Sequence, residues 1–339
     1  MHTKNLCWFL ALGLAVGTAG TVTAGNENRV GTAGAQELRI PVSARGVALG
    51  DGFMADASGV DALWYNPAGA ARVDGTEAYF SHLTYLADTE KNYFAIVTNT
   101  GIGALGASID VFDIGDIQET TEENPEGTGQ IFSPTFTVIG VSYAKYMTDA
   151  VSIGATGRFI SEDIIQTSAQ GVSFDIGIQY QPGWEGLRLG FALKNFGPNM
   201  QFDGEDFGST HQTGDDPNSL PRVLRTDNAT FELPSLFEIG LAYSPSIEGD
   251  LSLDAFGTFT NHNFGGDEFN LGVEGGYQDM LALRLGYVAS ANEDYNFGLT
   301  FGAGFKIPMG GSSITVDYAR RMVKDYFDDN DLIALKYAF

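Results

Sequence analysis

From residue 77 onward, apolar and polar positions alternate along the chain. Val172, Phe174, Ile176, Ile178 and Tyr180 take every second place, with Ser173, Asp175, Gly177 and Gln179 between them. Leu281, Leu283, Leu285 and Tyr287 oppose Ala282, Arg284 and Gly286 in the same way. Phe297, Leu299, Phe301, Phe305 and Ile307 oppose Gly298, Thr300, Gly302, Gly304 and Lys306. Successive strand side chains point to opposite faces, so each segment has one greasy and one polar face. The pattern predicts fourteen strands, at 77–86, 92–99, 102–113, 135–147, 151–161, 171–180, 187–196, 235–244, 250–261, 268–278, 281–289, 296–307, 312–321 and 331–339. Many approach the ~9–11 residues that cross a bilayer when tilted.

Connections give an independent reading. Those after even-numbered strands are short and rich in turn residues, as in Asn99-Thr100-Gly101, Thr148-Asp149 and Gln278-Asp279-Met280. The long ones, Ile114 to Pro134, Gly197 to Pro234 and Met322 to Asn330, all follow odd strands. Short turns on one side and long loops on the other are the habit of outer-membrane barrels, whereas a soluble sandwich has no reason to sort its loops. The expected fold is all-β, a 14-stranded antiparallel transmembrane β-barrel with a short N-terminal plug.

Both chain ends agree. Ile333, Leu335, Tyr337 and Phe339 share one face of the last strand, and a terminal strand closing on Phe resembles the assembly signal of bacterial outer-membrane barrels. Tyr337 and Phe339 are the expected signal residues, read by the barrel-assembly machinery. At the other end, Lys4, the apolar run Leu6 to Val16 and the small residues Val22-Thr23-Ala24 form a signal-peptide pattern. This divides the chain into 1–24 (signal peptide), 25–75 (N-terminal segment and plug) and 76–339 (barrel), with Gly25 the expected mature start and the cell outer membrane the destination. Cleavage removes Cys7, the only cysteine, so no disulfide framework remains.

Composition narrows the function classes. A formal charge of -25 argues against nucleic acid as a partner, which needs basic surface. The 44 glycines weaken helices but permit curvature and close packing in a barrel. The polar faces carry Arg158, Lys194, Arg284, Lys306 and Lys336 against Asp175, Glu238, Asp254, Glu274 and Asp317. Charges are costly against lipid, so these face the lumen, as a paired network bracing the wall or as a charged pore lining. Arg284 then faces inward with Leu283 and Leu285 outward, and register alone makes Arg284→Leu a milder change than Leu283→Arg.

Residues 40–75 read differently. Small residues dominate, short helical spacing runs from Met54 to Trp64, and Asn66-Pro67 is a turn. A long segment that is neither strand nor low-complexity needs a home, and a polar lumen offers one as a plug.

Ser43-Ala44-Arg45-Gly46, Ala48-Leu49-Gly50 and Asp61-Ala62-Leu63-Trp64-Tyr65-Asn66-Pro67-Ala68-Gly69 carry a resemblance to the PorV/PorQ family, a branch of the FadL-type outer-membrane transporters. Ala70 stands where the family usually has Leu. The resemblance implies a plug motif of Arg45, Gly46, Asp61, Asn66, Pro67, Ala68 and Gly69. It also implies two possible roles. PorV-type members serve type IX secretion as a receptor or shuttle for exported proteins with a C-terminal signal domain. FadL-type members pass hydrophobic small molecules through a plugged barrel with a lateral opening. Here the matching opening falls near Gly101, Gly103, Gly106 and Pro134, where glycine and proline are expected to make the pairing of strands three and four the weakest in the wall.

Catalysis finds little support. His82, His211 and His262 are widely spaced, and neither a Gly-x-Ser-x-Gly elbow nor a phosphate loop is present. No cofactor or metal is expected. Asp325, Asp328, Asp329 and Asp331 lack the spacing of a calcium loop and read as a solvated run. The acidic loops holding Asp116, Glu119, Glu122, Glu123 and Glu126, and Asp203, Glu205, Asp206, Asp215 and Asp216, read as outer surface. They are placed to contact a protein partner or to hold divalent cations against lipopolysaccharide, with membrane lipid around the barrel.

Overall fold

The computed structural model describes residues 29–212, 221–290, 292, 295–324 and 327–339. Residues 1–24 and Gly25, Asp215, Asp216 and Asp325 lie outside this set.

Fourteen antiparallel strands close into a barrel. They are β1 (Thr76–Thr84), β2 (Glu90–Asn99), β3 (Ala104–Asp113), β4 (Thr135–Thr148), β5 (Val151–Ile164), β6 (Thr167–Tyr180) and β7 (Leu187–Phe196). The second half comprises β8 (Leu236–Tyr243), β9 (Leu251–His262), β10 (Glu268–Tyr277), β11 (Leu281–Ser290), β12 (Phe297–Met309), β13 (Ser312–Val323) and β14 (Asn330–Ala338). β14 closes on β1 in unbroken register from Glu77↔Ala338 to Thr84↔Asp331. The Phe339 backbone extends the closure, its N–H donating to Thr76 O and its C=O accepting from Thr76 N. Closure removes the free edges that an open sheet would present to lipid.

The alternation maps onto two environments. Leu281, Leu283, Leu285 and Tyr287 are exposed on the outer wall, Leu283 by 71 %, whereas Arg284 is buried. A band this apolar is stable in water only if lipid covers it.

The hydrophobic core lies inside the barrel, made by residues 40–73 and the inward side chains around them. Helix α1 (Ala44–Ala48) starts at Ser43, whose Oγ accepts from Gly46 N, and packs on β11, β12 and β13. Helix α2 (Ala62–Tyr65) leads to Asn66, whose side chain caps the 3₁₀ turn Pro67–Arg72. That turn packs on β4, β5 and β6. The plug thus spans the lumen between opposite walls. The helical spacing expected from Met54 to Trp64 is realised only in its second half, as a 3₁₀ turn at Gly59–Asp61 running into α2. Residues 51–56 form turns, because Gly50 and Asp51 both adopt positive φ and break the helix after α1.

The outer loops carry short additions. Ile117–Gln118 pairs with Ile131–Phe132, and Gly208–Gln212 with Pro221–Arg225. Phe202–Gly204 extends the wall by pairing with the outer end of β6. Residues 29–35 meet these loops, with Gly34 N donating to Glu232 O and the Arg29 guanidinium 4.1 Å over the Phe264 ring.

Candidate functional site: the plugged lumen and its outer chamber

The plug seats where the wall has no side chains. A Cβ on Gly177 would strike the Asn66 side chain, and one on Gly154 would strike Pro67. Opposite, Gly272, Gly286 and Gly302 admit the Ala48–Gly50 backbone and the Ala48 methyl. Within the plug, Gly46 gives way to the Tyr65 ring and Gly69 to the Ala57 carbonyl. Asn66 Nδ2 donates to Ile178 O at 3.2 Å and Phe191 O at 3.4 Å, while its Oδ1 accepts from Ala68 N at 3.2 Å.

Ion pairs then wire plug to wall. Arg45 donates to both oxygens of Glu274, at 3.0 and 2.9 Å, and lies 3.4 Å from Asp56. Arg284 bonds the same Glu274 and donates to Asp317 at 2.5 Å. Asp56 also takes Arg72 at 3.1 Å and Arg188 at 2.6 Å. Asp61 accepts from Ser43 Oγ at 2.5 Å and faces Lys336 at 3.3 Å. Asp51 pairs with Arg321 and accepts from Tyr65 OH at 2.6 Å. Bidentate, hydrogen-bonded pairs of this kind recover much of the desolvation cost of burial.

Of the other residues singled out in the sequence, Arg158 pairs with Asp175 and donates to Asn195 Oδ1 at 3.3 Å. Lys194 lies 3.8 Å from Glu238 but sits 3.9 Å over the Trp64 ring. Lys306 pairs with Asp279 at a solvated turn, away from the network. Asp254 is half-buried and makes no ion pair among the described residues. Tyr337 and Phe339 stack with centroids 5.1 Å apart.

At the expected seam, β3 and β4 pair without interruption from Ala104↔Ala144 to Asp113↔Thr135. Gly106 instead makes room for Leu63 of the plug, Gly101 and Gly103 form the preceding turn, and Pro134 O accepts from Ile114 N at the loop mouth. Register shifts fall elsewhere, at Tyr146/Thr148 between β4 and β5, at Phe297/Thr300 between β12 and β13, and between β6 and β7 from Phe174↔Phe196 to Ile176↔Leu193. There Asn195 adopts a φ of 58° and its N–H donates to Asp175 Oδ1 at 2.8 Å. This is a β-bulge closed by a carboxylate, and neither glycine nor proline stands at residues 174–176 or 193–196 to announce it.

Sequence reading also missed Asp51, Asp56, Lys91, Asp110 and Arg321. Lys91, Asp110 and Arg321 occupy inward positions of their strands, so parity alone places them in the lumen. The plug aspartates carry no such signal.

Above the plug lies a chamber of about 780 Å³. Its floor includes Trp64 and Asp51, and residues 34–41 border it on the outer side. One wall is an aromatic chain, Phe136–Phe112–Tyr85–Phe297–Tyr295, with centroids 5.6 to 6.3 Å apart. The other is polar, with Glu238, Thr260, His262, Glu268 and Asn270, while Arg321 lies 5.1 Å over the Phe297 ring on the aromatic side. Residues 35–40 are pinned to the barrel at this level. Lys91, 1 % exposed, donates to Glu37 O and Ile40 O at 2.7 Å each and pairs with Asp110 at 2.8 Å. Ala35 N donates to Glu162 at 3.1 Å. Burial, with the Glu162 carboxyl alongside, pushes the Glu37 carboxyl up to about 8.

Comparison with known proteins places this geometry. No curated protein sequence matches the chain. The P. putida toluene transporter TodX superposes with a TM-score of 0.57 at 14% identity, covering 88% of this chain and 99% of that one. A Pseudomonas aeruginosa FadL homologue gives 0.51 at 15%, covering 88% and 98%. The CymD monoaromatic hydrocarbon channel gives 0.54 at 14%, covering 88% and 98%. At such identities the likeness is one of fold, a FadL-like barrel. The family model described as type IX secretion system protein PorV matches residues 23–213, which hold the whole plug and the first seven strands. The chain belongs to the PorV family, as an outer-membrane β-barrel of type IX secretion.

Proposed function

We propose that this barrel serves type IX secretion as a non-enzymatic receptor or shuttle for exported proteins that carry a C-terminal signal domain. The observation that carries the reading is the combination of the family match with a lumen closed by a plug ion-paired into the wall. A barrel closed in this way offers no axial path to a polypeptide. Its working surface is the outer rim, where residues 34–41, Phe202 and Phe264 border the chamber.

The polar half of the chamber supports this role over transport of hydrocarbons. Thr260 Oγ1, Asn270 Oδ1 and Glu238 Oε2 are buried without hydrogen-bond partners among the described residues. Setting a hydrocarbon against them leaves each unsatisfied, at about 1–3 kcal/mol apiece.

Several finer roles complete the proposal. Residues 1–24 act as the cleaved export signal. Tyr337 and Phe339 present the last strand to the assembly machinery. The acidic loops face lipopolysaccharide. Deleting the chain from its source bacterium tests the main role. Proteins with the signal domain are expected to accumulate in the periplasm. Their undiminished arrival at the cell surface would refute the proposal.

A further inference from the structure

The outer chamber holds more unmet hydrogen-bonding capacity than a structural cavity needs. Glu238, Thr260 and Glu268 sit opposite one another on β8, β9 and β10, in one row across the inner wall. Asn270 lies one step below on β10, opposite Thr258. Thr260 and Asn270 are 3 % and 5 % exposed, yet among the described residues Thr260 Oγ1 and Asn270 Oδ1 have no hydrogen-bond partner, and Glu238 Oε2 has only the Lys194 ammonium at 3.8 Å. Arg321 Nε likewise has no hydrogen-bond partner among the described residues, while its Nη2 holds Asp51. The Lys194 ammonium rests on the Trp64 ring rather than on a hydrogen-bond acceptor. The strand backbones here are spent on the wall, so side chains alone present this capacity.

The unmet groups are of both kinds. Glu238 and Asn270 offer acceptors, Arg321 and Lys194 offer donors, and Thr260 offers either. Charges of both signs line the space, so neither a simple anion nor a simple cation matches the whole wall. The aromatic chain faces this row from Phe136, Phe112 and Tyr85, and meets it at its other end, where Tyr295 OH donates to Glu268 Oε2 at 3.4 Å and Arg321 lies over Phe297. A ligand that replaces water here must carry hydroxyl-like groups on one side, each able to donate and accept. It must carry an apolar face of C–H groups on the other, to lie on rings whose faces are electron-rich. A sugar ring has both. The volume falls within the range of small-molecule sites.

From this we infer that the outer chamber is a carbohydrate-binding site, taking a neutral glycan with its polar edge on Glu238, Thr260 and Asn270 and its ring faces on the aromatic wall. The inference does not rest on the secretion role. An extended peptide fits less well, because its alternating N–H and C=O groups are best met by a free strand edge, which the closed wall at Glu238, Thr260 and Asn270 lacks.

The test uses the whole barrel, purified in a detergent without a sugar headgroup, against an array of neutral glycans. Trp64 fluorescence in a Trp184→Phe background then gives the affinity of the retained glycan. Saturable binding is expected, with at least tenfold weakening in Thr260→Val and in Asn270→Leu. Both variants should stay heat-modifiable, which shows that the barrel still folds. The inference is overturned if no neutral glycan is retained, or if folded Thr260→Val and Asn270→Leu bind it as tightly as the parent. Tighter binding of tetra-alanine than of any glycan would overturn it too.

Discussion

Single side chains decide whether the plug stays in place. Arg284 holds both Glu274 and Asp317, so its loss leaves Asp317 as an uncompensated buried carboxylate. The register argument ranked Arg284→Leu as mild; the network revises that. The expected cost is about 3–5 kcal/mol, read from folding into lipid vesicles in urea. Glu37 adds a pH dependence at the outer end of the plug segment. Its carboxyl is raised from 4.5 to about 8 where it docks beside Glu162, near Lys91 and Asp110. Docking therefore binds a proton that the released segment gives up. The stabilisation is complete below the ordinary value of 4.5 and is lost as pH rises through about 8. Amide exchange at residues 35–40 should quicken between those limits, and Glu37→Gln should flatten the response. A parent protein whose exchange, corrected for its intrinsic pH dependence, stays constant would contradict this linkage. Sequence parity placed Glu274, Arg284 and Asp317 on the inner face. It gave no means of finding Asp56, which gathers Arg45, Arg72 and Arg188 from three separate parts of the chain.

At the scale of elements, the alternation was legible because lipid and lumen impose opposite demands on neighbouring residues. All fourteen expected strands lie within a few residues of the observed ones. Strand pairing strength was not legible. Gly106 in β3 marks the footprint of Leu63, since an inner face packed on a plug needs small residues for the same reason a gap does. One of the register shifts, at Lys194-Asn195 opposite Asp175, depends on a side chain replacing a backbone partner. Two measurements address this scale. Leu283→Arg should cost ~2–4 kcal/mol if its side chain lies at the bilayer midplane. Gly154→Val should drive Pro67 and Ala68 from their seat. The expected result is ion conductance in planar bilayers where the parent shows little. A variant as closed as the parent would show that the plug is held without that fit.

The whole molecule is a membrane cylinder whose centre is filled and whose outer end is hollow. Closure of β14 on β1 removes all edges, and the stacked Tyr337 and Phe339 sit at that seam. Deleting residues 337–339 should therefore reduce assembly, scored as loss of the heat-modifiable, protease-resistant form. The plug motif was recognisable in the sequence as a pattern, but its physical basis, a set of glycine seats and shared carboxylates contributed by distant strands, emerges only in three dimensions. The chamber above it was not legible at all, because its walls come from nine or more separated segments. The central claim is that this plugged barrel receives exported proteins at its outer face. Its most direct test is binding of the purified barrel to the C-terminal signal domain of a type IX-exported protein from the same bacterium. The account predicts a saturable one-to-one complex with the parent barrel's plug still seated. Absence of any complex with a folded signal domain would contradict it.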